Sequence, residues 1–297
     1  MSLAPILLFT YNRPQHTLQT LNALLNNKLC GESELYVFSD GYKNNFDKAE
    51  VEKVRKIIHN INGFKQIHIV ENRDNWGLAK NIIEGVTQVI NKHGKVIVLE
   101  DDLITSPWFL TFMNEALDEF EQEEKIGHIH AFCYPDLNLP DAFLIKWTGS
   151  WGWATWQRAW KYFNPDGKAL LDELQRRRLT KTFDFNGSYR YTRMLRRQTK
   201  GFNNSWAIRW NASLFLNDIL SLNAGKSLVQ NIGFDGTGTH SGTQEIYSTP
   251  LYTQKLSIDV SEVEENPQAR ISFERYYIKT TGFWAKVRRR IRKHLKI

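Results

Sequence analysis

Over its first hundred residues the chain alternates short apolar runs with longer amphipathic stretches. Residues 5–10 (PILLFT) have the make-up of a buried strand, and residues 15–25 then place Leu18, Leu21 and Leu25 at helical spacing. The alternation continues with strands over 34–39, 66–70 and 95–99, and with helices over about 47–60 and 78–90. Strands alternating with helices of this length predict a parallel sheet with right-handed crossovers. In such open sheets ligands bind at the carboxyl ends of the strands. The polar residues that follow each strand are therefore the ones that bear on function.

Beyond residue 105 the pattern loosens. Ser106-Pro107 reads as N-cap and first residue of a helix through about Glu123. Further strands are predicted over 126–133, 143–147 and 227–232, and helices near 167–178, 188–200 and 206–222. Residues 234–244 form a loop rich in Gly and Thr. With no internal repeat and no linker, the prediction is one α/β domain with a mostly parallel central sheet flanked by helices and a helical C-terminal part.

Composition narrows the class. The 297 residues are 41% hydrophobic and 24% charged, which excludes disordered and collagenous chains. The apolar runs fall short of the roughly 20 residues that span a bilayer, and the first residues lack the pattern of a signal peptide. Only Cys30 and Cys133 are present, so a disulfide framework is excluded and a cytoplasmic setting is expected.

The net charge of +7 is a property of the tail. Residues 282–297 hold seven basic residues and no acid, so the rest of the chain carries no net charge. That balance, with no recognised motif, argues against nucleic acid as a partner. Phe283, Trp284, Val287, Ile291 and Leu295 fall at helical spacing in this tail. The expectation is a basic amphipathic helix over 282–297 that rests on an anionic membrane surface, the protein being peripheral to the inner face.

Ten Trp are present, and Trp147, Trp151, Trp153, Trp156 and Trp160 fall within fourteen positions. Core packing accounts for most such residues, but a flat apolar face with one N–H donor also suits sugar rings.

Each of the first four strands is followed by residues able to hold a ligand. After the first stand Thr10, Tyr11, Asn12 and Arg13, where a forked guanidinium could meet a phosphate or the cluster could simply turn the chain. After the second comes Asp40, either a turn residue or an acceptor for the imide N–H of a uracil-like base. Arg73 and Asn75 follow the third, with Lys80 and Asn81 one turn into the next helix, a setting that favours a diphosphate. After the fourth come Glu100, Asp101 and Asp102. Three consecutive carboxylates behind KVIVL are costly unless a cation binds, and Mn²⁺ or Mg²⁺ bridging to phosphates answers that cost.

PILLFTYNRP, Asp40, NWGLAKN, VLEDDL and GSWGWATWQRAW together resemble glycosyltransferases of the GT-A fold, of the family 2 type and the animal N-acetylglucosaminyltransferase I type. The resemblance spans roughly residues 4–245. It implies a nucleotide-binding half over about 1–105 and an acceptor half over about 106–281, within a domain of residues 1–281. It further implies that Thr10, Asn12, Arg13 and Asp40 hold the nucleoside, that Glu100 and Asp101 lie near ribose and donor sugar, and that Asp102 binds the metal. Asp101 and Asp102 are the implied catalytic pair, and His240 is a second candidate metal ligand. Trp151, Gly152 and Trp153 would face the sugar and acceptor, joined by Trp206 and Arg209. The late helix of the second type carries a carboxylate between two tryptophans. Here residues 206–210 read WAIRW, so a catalytic base must come from elsewhere, with Asp218 and Asp235 as candidates.

The expected activity is transfer of a sugar from a nucleotide donor, UDP-linked by preference, to a glycan or lipid-linked acceptor. A nucleotidyltransferase shares the βαβ logic but needs a glycine-rich loop after the first strand, which is missing. A carbohydrate-binding protein that kept the fold and lost the base is the alternative from another class. Residues 175–200 hold nine basic residues against Asp184. They read either as solvated helix faces or as a groove for an anionic acceptor.

Overall fold

The structure, a computed structural model, describes residues 2–235 and 247–282. His240 and the tail segment 283–297 lie outside the described residues. β1 (Ile6–Thr10), α1 (Pro14–Leu25), β2 (Glu34–Ser39), α2 (Asn45–Asn60), β3 (Gln66–Glu71), α3 (Leu78–His93) and β4 (Lys95–Glu100) follow the predicted alternation closely. Local chemistry sets the helix ends. Pro14 opens α1, the Asn44 side chain accepts the Phe46 and Asp47 amides ahead of α2, and Gly94 closes α3 in the left-handed conformation. β1 pairs in parallel with β2 on one side and β4 on the other, and β3 pairs with β2. Helices cover both faces, so Ile6, Leu7, Leu8, Ile97 and Val98 are all buried.

The second half is less helical than predicted, because it contributes half of the sheet. β6 (Ile126–His130), β7 (Ala142–Ile145), β8 (Trp153–Trp156) and β9 (Leu220–Ala224) complete eight strands in the order β3-β2-β1-β4-β8-β6-β9-β7. β8 runs antiparallel to both β4 and β6, which leaves β6 parallel to β4. β9 is parallel to β6, and β7 antiparallel to β9. A small ribbon of β5 (Leu103–Thr105) and β10 (Val229–Asn231) follows directly on β4.

Two predicted elements differ. The helix expected over 206–222 ends as α9 (Trp206–Leu216), because Asp218 turns the chain at a positive φ of 61° and Leu220, Leu222 and Ala224 then enter the sheet as β9. The helix expected from Ser106 begins as α4 at Phe109 (Phe109–Glu119). Ser106 instead forms the turn before it, taking the Trp108 amide on its hydroxyl and the Phe109 amide on its carbonyl. The short α5 (Gln157–Trp160) and α7 (Thr180–Phe183), with α6 (Gly167–Arg176) and α8 (Tyr191–Thr199), complete the helical part. α10 (Pro267–Thr281), capped by Asn266, packs Phe273, Tyr276 and Tyr277 into an aromatic cluster with Tyr134 and Trp147.

Candidate active site

The carboxyl ends of β1, β2, β3, β4 and β6, with the start of β8, share one edge of the sheet. In register, Phe9 faces Glu100 across the β1–β4 pair, so the residues after β1 lie beside those after β4. Arg13 draws the two together. Its Nη2 donates to Asp101 Oδ1 at 2.6 Å and to Asp102 Oδ2 at 2.9 Å. Asp101 also accepts the Tyr11 amide at 3.3 Å, and its carbonyl takes the Thr20 hydroxyl at 2.9 Å. The Asp102 carbonyl accepts the Ile232 amide, which carries the end of β10 over the acidic run.

Behind Asp102 the chain leaves no room for a side chain. A Cβ on Gly233 would come within 2.2 Å of Asp102 Oδ2. Asn231 Nδ2 reaches Asp102 Oδ1 only at 3.5 Å. Next to this cradle, His16 Nε2 on α1 lies 3.2 Å from Asp235. Tyr11 and Asn12 are anchored sideways, their hydroxyl and amide donating to the two oxygens of Asp47 at 2.9 and 3.0 Å.

The electrostatics are unbalanced. Among the described residues Glu100, Asp101 and Asp102 have a single close guanidinium between them. Burial, and then the neighbouring Asp102 and Asp101, push the Glu100 carboxyl up to about 8. Burial also raises Asp101, against the opposing pull of Arg13. Arg13 is thus committed to carboxylates, not to a phosphate as the sequence suggested.

The loop after β2 is the opposite case. Asp40 Oδ1 accepts the Gly41, Asn72 and Trp76 donors at 3.0, 3.2 and 2.8 Å, and Oδ2 accepts Asn75 and the Gly77 amide at 2.9 Å each. Asn72 donates a second bond, at 2.6 Å, to Asn81, whose own amide caps back onto the Gly77 carbonyl. Asp40, Asn75 and Asn81, all expected to touch the donor, are here engaged in fixing the turn that starts α3. Gly41 is required at this turn, since a Cβ would meet the Asp74 backbone at 2.4 Å. Arg73 and Lys80 remain exposed at the rim, with Lys80 4.1 Å over the Trp76 ring.

The tryptophans divide in the same way. Trp153 is 1% exposed, stacked between His128, Trp206 and Trp160. Trp206 is buried too, and Arg209 spends its guanidinium on the Ser205 and Pro165 carbonyls and the Asn204 side chain. Burial removes these three from the expected acceptor pocket. Trp151 stays half-buried at the ligand edge, packed edge-on to Phe132, Phe234 and Tyr247. Gly152 beside it adopts φ +65° against Phe109 and Val229. Asp218 pairs with Lys146 at the end of β7, on the opposite edge of the sheet from Asp102, which removes it as a base.

Residues the sequence reading missed are Asn231, Gly233, His16 and Asp47. They come from a late ribbon and from the outer turns of α1 and α2. Asp47, at the capped start of α2, was the one with a local signal.

Residues 6–138, from β1 to just beyond β6, match the family described as Glycosyl transferase family 2. The matched segment is a little under half of the chain, and the central sheet flanked by helices is the expected GT-A architecture. Two solved structures are similar. TarS of S. aureus is 17% identical with a TM-score of 0.33, over 46% of this chain and 23% of that one. The mannosyltransferase PcManGT from Pyrobaculum calidifontis, in complex with GDP-Man and Mn²⁺, is 10% identical with a TM-score of 0.42, over 72% of this chain and 68% of that one. The chain thus spans less than a quarter of the length of TarS. No curated protein sequence matches it.

Proposed function

We propose that the protein is a metal-dependent glycosyltransferase. It moves a hexosyl or N-acetylhexosaminyl group from a UDP-linked donor to a glycan or glycolipid acceptor, in the making of cell-surface polysaccharide or glycoconjugate. The observation that carries this reading is the acidic run behind β4: three carboxylates, one guanidinium, and a cradle closed by Gly233. The family 2 match over the β1–β6 segment supports a nucleotide-sugar donor.

The residues fit a hard cation that shares its shell with a ligand. Among the described residues no three His, Cys, Asp or Glu side chains converge into an all-protein cage. Mg²⁺ and similar ions need only one or two carboxylates when phosphates and water complete the shell. Asp102 would hold the ion with Glu100 close by, and the ion when bound would neutralise the diphosphate as it leaves.

The remaining roles belong to the chain. Arg13 keeps Asp101 and Asp102 in place, while Asp40 and its partners hold the rim where Arg73, Trp76 and Lys80 face the donor. Trp151 offers a ring face toward sugar and acceptor. Asp235, fixed by His16, is the carboxylate proposed to take the acceptor proton. No described helix is long and apolar enough to cross a membrane. The basic tail supports a peripheral position at the cytoplasmic membrane face, a reading that rests on sequence alone.

Thermal melts with UDP, GDP and their sugars, with and without Mn²⁺, test the proposal. UDP with Mn²⁺ is expected to raise the melting temperature, since a ligand that binds only the folded state adds stability that grows with the logarithm of its concentration relative to Kd. Asp102→Asn is expected to abolish the Mn²⁺-dependent part of that rise and to lower turnover at least about a hundredfold, since even the loss of a residue that only supports a metal ligand costs about 10–100-fold. An undiminished Mn²⁺ response in Asp102→Asn defeats the assignment.

A further inference from the structure

The helical part carries a second concentration of charge, which shares no residue with the ligand edge. A cleft of about 910 Å³ opens beside α8, with walls from the end of α6, the turn before α8 and α8 itself. Arg178, Arg190, Arg193, Arg196, Arg197 and Lys200 line it, and Asp184 is its one acid. Asp184 is already held by the Thr192 amide at 2.6 Å. Among the described residues, none of the six cations has a carboxylate within 4.0 Å. Acids are available nearby on α6, but Asp172 pairs with Lys168 and Glu173 with Arg176. Six cations thus face a single acid in the cleft, Asp184, which lies in the field of Arg196 and Arg190.

A concave surface lined by one sign of charge concentrates its potential and attracts anions. Five of the six groups are guanidiniums, whose planar forks match phosphate oxygens two at a time. From Arg190 just before α8, through Arg193, Arg196 and Arg197 on it, to Lys200 just after it, the charges bracket a helix of about 13 Å at 1.5 Å per residue, which exceeds one phosphate and suits a chain of them. At the far end Phe202 is 66% exposed with Arg197 5.2 Å over its ring, so an apolar face adjoins the charge. The concave shape favours a threaded chain over a flat bilayer. A single aromatic ring is sparse for stacking the bases of a nucleic acid strand.

We propose that this cleft binds a chain bearing several phosphates, and, resting on the glycosyl-transfer reading above, that this chain is part of the acceptor. Arginines gripping phosphates away from the reacting hydroxyl would set the register of the acceptor without taking part in the chemistry.

The test uses the full chain and a synthetic base-free phosphodiester tetramer, with binding followed by calorimetry between about 50 and 200 mM salt. Arg193→Gln/Arg196→Gln, both exposed, is expected to weaken tetramer binding at least about tenfold and to lower the salt slope by about one to two. Arg176→Gln, whose guanidinium is paired to Glu173 outside the cleft, is expected to change it less than about twofold. Equal loss in both variants, or no loss in the double variant, overturns the site. Binding of oligothymidylate tenfold tighter than the tetramer, or of phosphatidylglycerol vesicles without the tetramer, overturns the proposed class in favour of nucleic acid or membrane. UDP binding with Mn²⁺ is measured on the same samples. If UDP binds and the tetramer does not, the cleft proposal falls and the transfer reading stands. If the tetramer binds through the cleft and UDP does not, the phosphate site stands and its role as an acceptor site is overturned.

Discussion

The loops after β2 and β4 begin alike and end in opposite states. Each follows a buried apolar strand, and each places a carboxylate at the ligand edge. Asp40 receives five N–H donors from its own loop and the next one, all of them neutral. Among the described residues Glu100, Asp101 and Asp102 receive one guanidinium, one backbone amide and a long 3.5 Å contact from Asn231, and burial pushes two of the three carboxyls upward. An acid at a strand end therefore points to a ligand only where the chain fails to supply its donors. By that measure the β2 loop is framework, and the β4 loop is the one proposed as the reacting centre.

The sharpest way to break the comparison is to remove the one cation. Arg13→Met leaves Asp101 buried without its charge partner, a change that typically costs about 3–5 kcal/mol. Urea unfolding of the metal-free protein is expected to show a loss of that size, with part of it recovered on adding Mn²⁺. A loss under about 1 kcal/mol would mean that the carboxylates are already neutral or solvated. Next in size is Asp40→Asn, which keeps the shape but turns an acceptor oxygen into a donor facing other donors. Charged hydrogen bonds are worth about 1.5–3 kcal/mol each, and the expected loss is about 2–3 kcal/mol, indifferent to Mn²⁺. Normal stability together with lost UDP affinity would instead place Asp40 on the nucleotide, as the sequence first suggested.

How far the sequence could be read depends on the range of the interactions. Strands β1 to β4 and the edge they share were legible because each rests on local periodicity and on one general rule about open sheets. The partners of Asp40 were not, since the Trp76 and Gly77 amides lie 36 and 37 residues downstream and only the fold brings them round. The tryptophan-rich stretch misled for a related reason. Trp153 and Trp156 are strand residues, one on each face of the sheet, and all four residues of β8 are buried, so no apolar–polar alternation reveals the strand. β9 was hidden behind α9, because Leu214–Leu222 also suits helical spacing and only the turn at Asp218 separates the two. α10 had its signal in plain sight, an Asn-Pro cap followed by aromatic residues at 273, 276 and 277, and was overlooked.

The smallest expected effect lies beneath the same edge and adds a third way of burying a polar group, which is to keep it neutral. His128 and His130 on β6 are fully buried. The Trp210 indole donates to His128 Nδ1 at 3.1 Å, so Nε2 carries the proton and donates to the Gly149 carbonyl at 3.1 Å. His130 Nδ1 lies 3.2 Å from Asn223 Oδ1, and because the Asn223 amide nitrogen donates to Ser221, this Nδ1 carries the proton. Among the described residues its Nε2 has no partner, and it lies against Gly149, where a Cβ would come within 2.1 Å. Burial lowers both rings, His130 to about 3. The unfolded chain takes up a proton on each histidine below about 6.5, and the folded chain does not. Between pH 6.5 and 3 the unfolded state thus binds more protons, so stability is complete above that window and falls as the pH drops through it. Each such ring contributes a slope of up to about 1.4 kcal/mol per pH unit. His130→Phe removes one of them. Urea unfolding at several pH values from 6 to 4 is expected to show a slope shallower by about 1 kcal/mol per unit, whatever the absolute stability of the variant. An unchanged slope would show that His130 is protonated in the fold, and that the face under the reacting centre carries charge instead of excluding it.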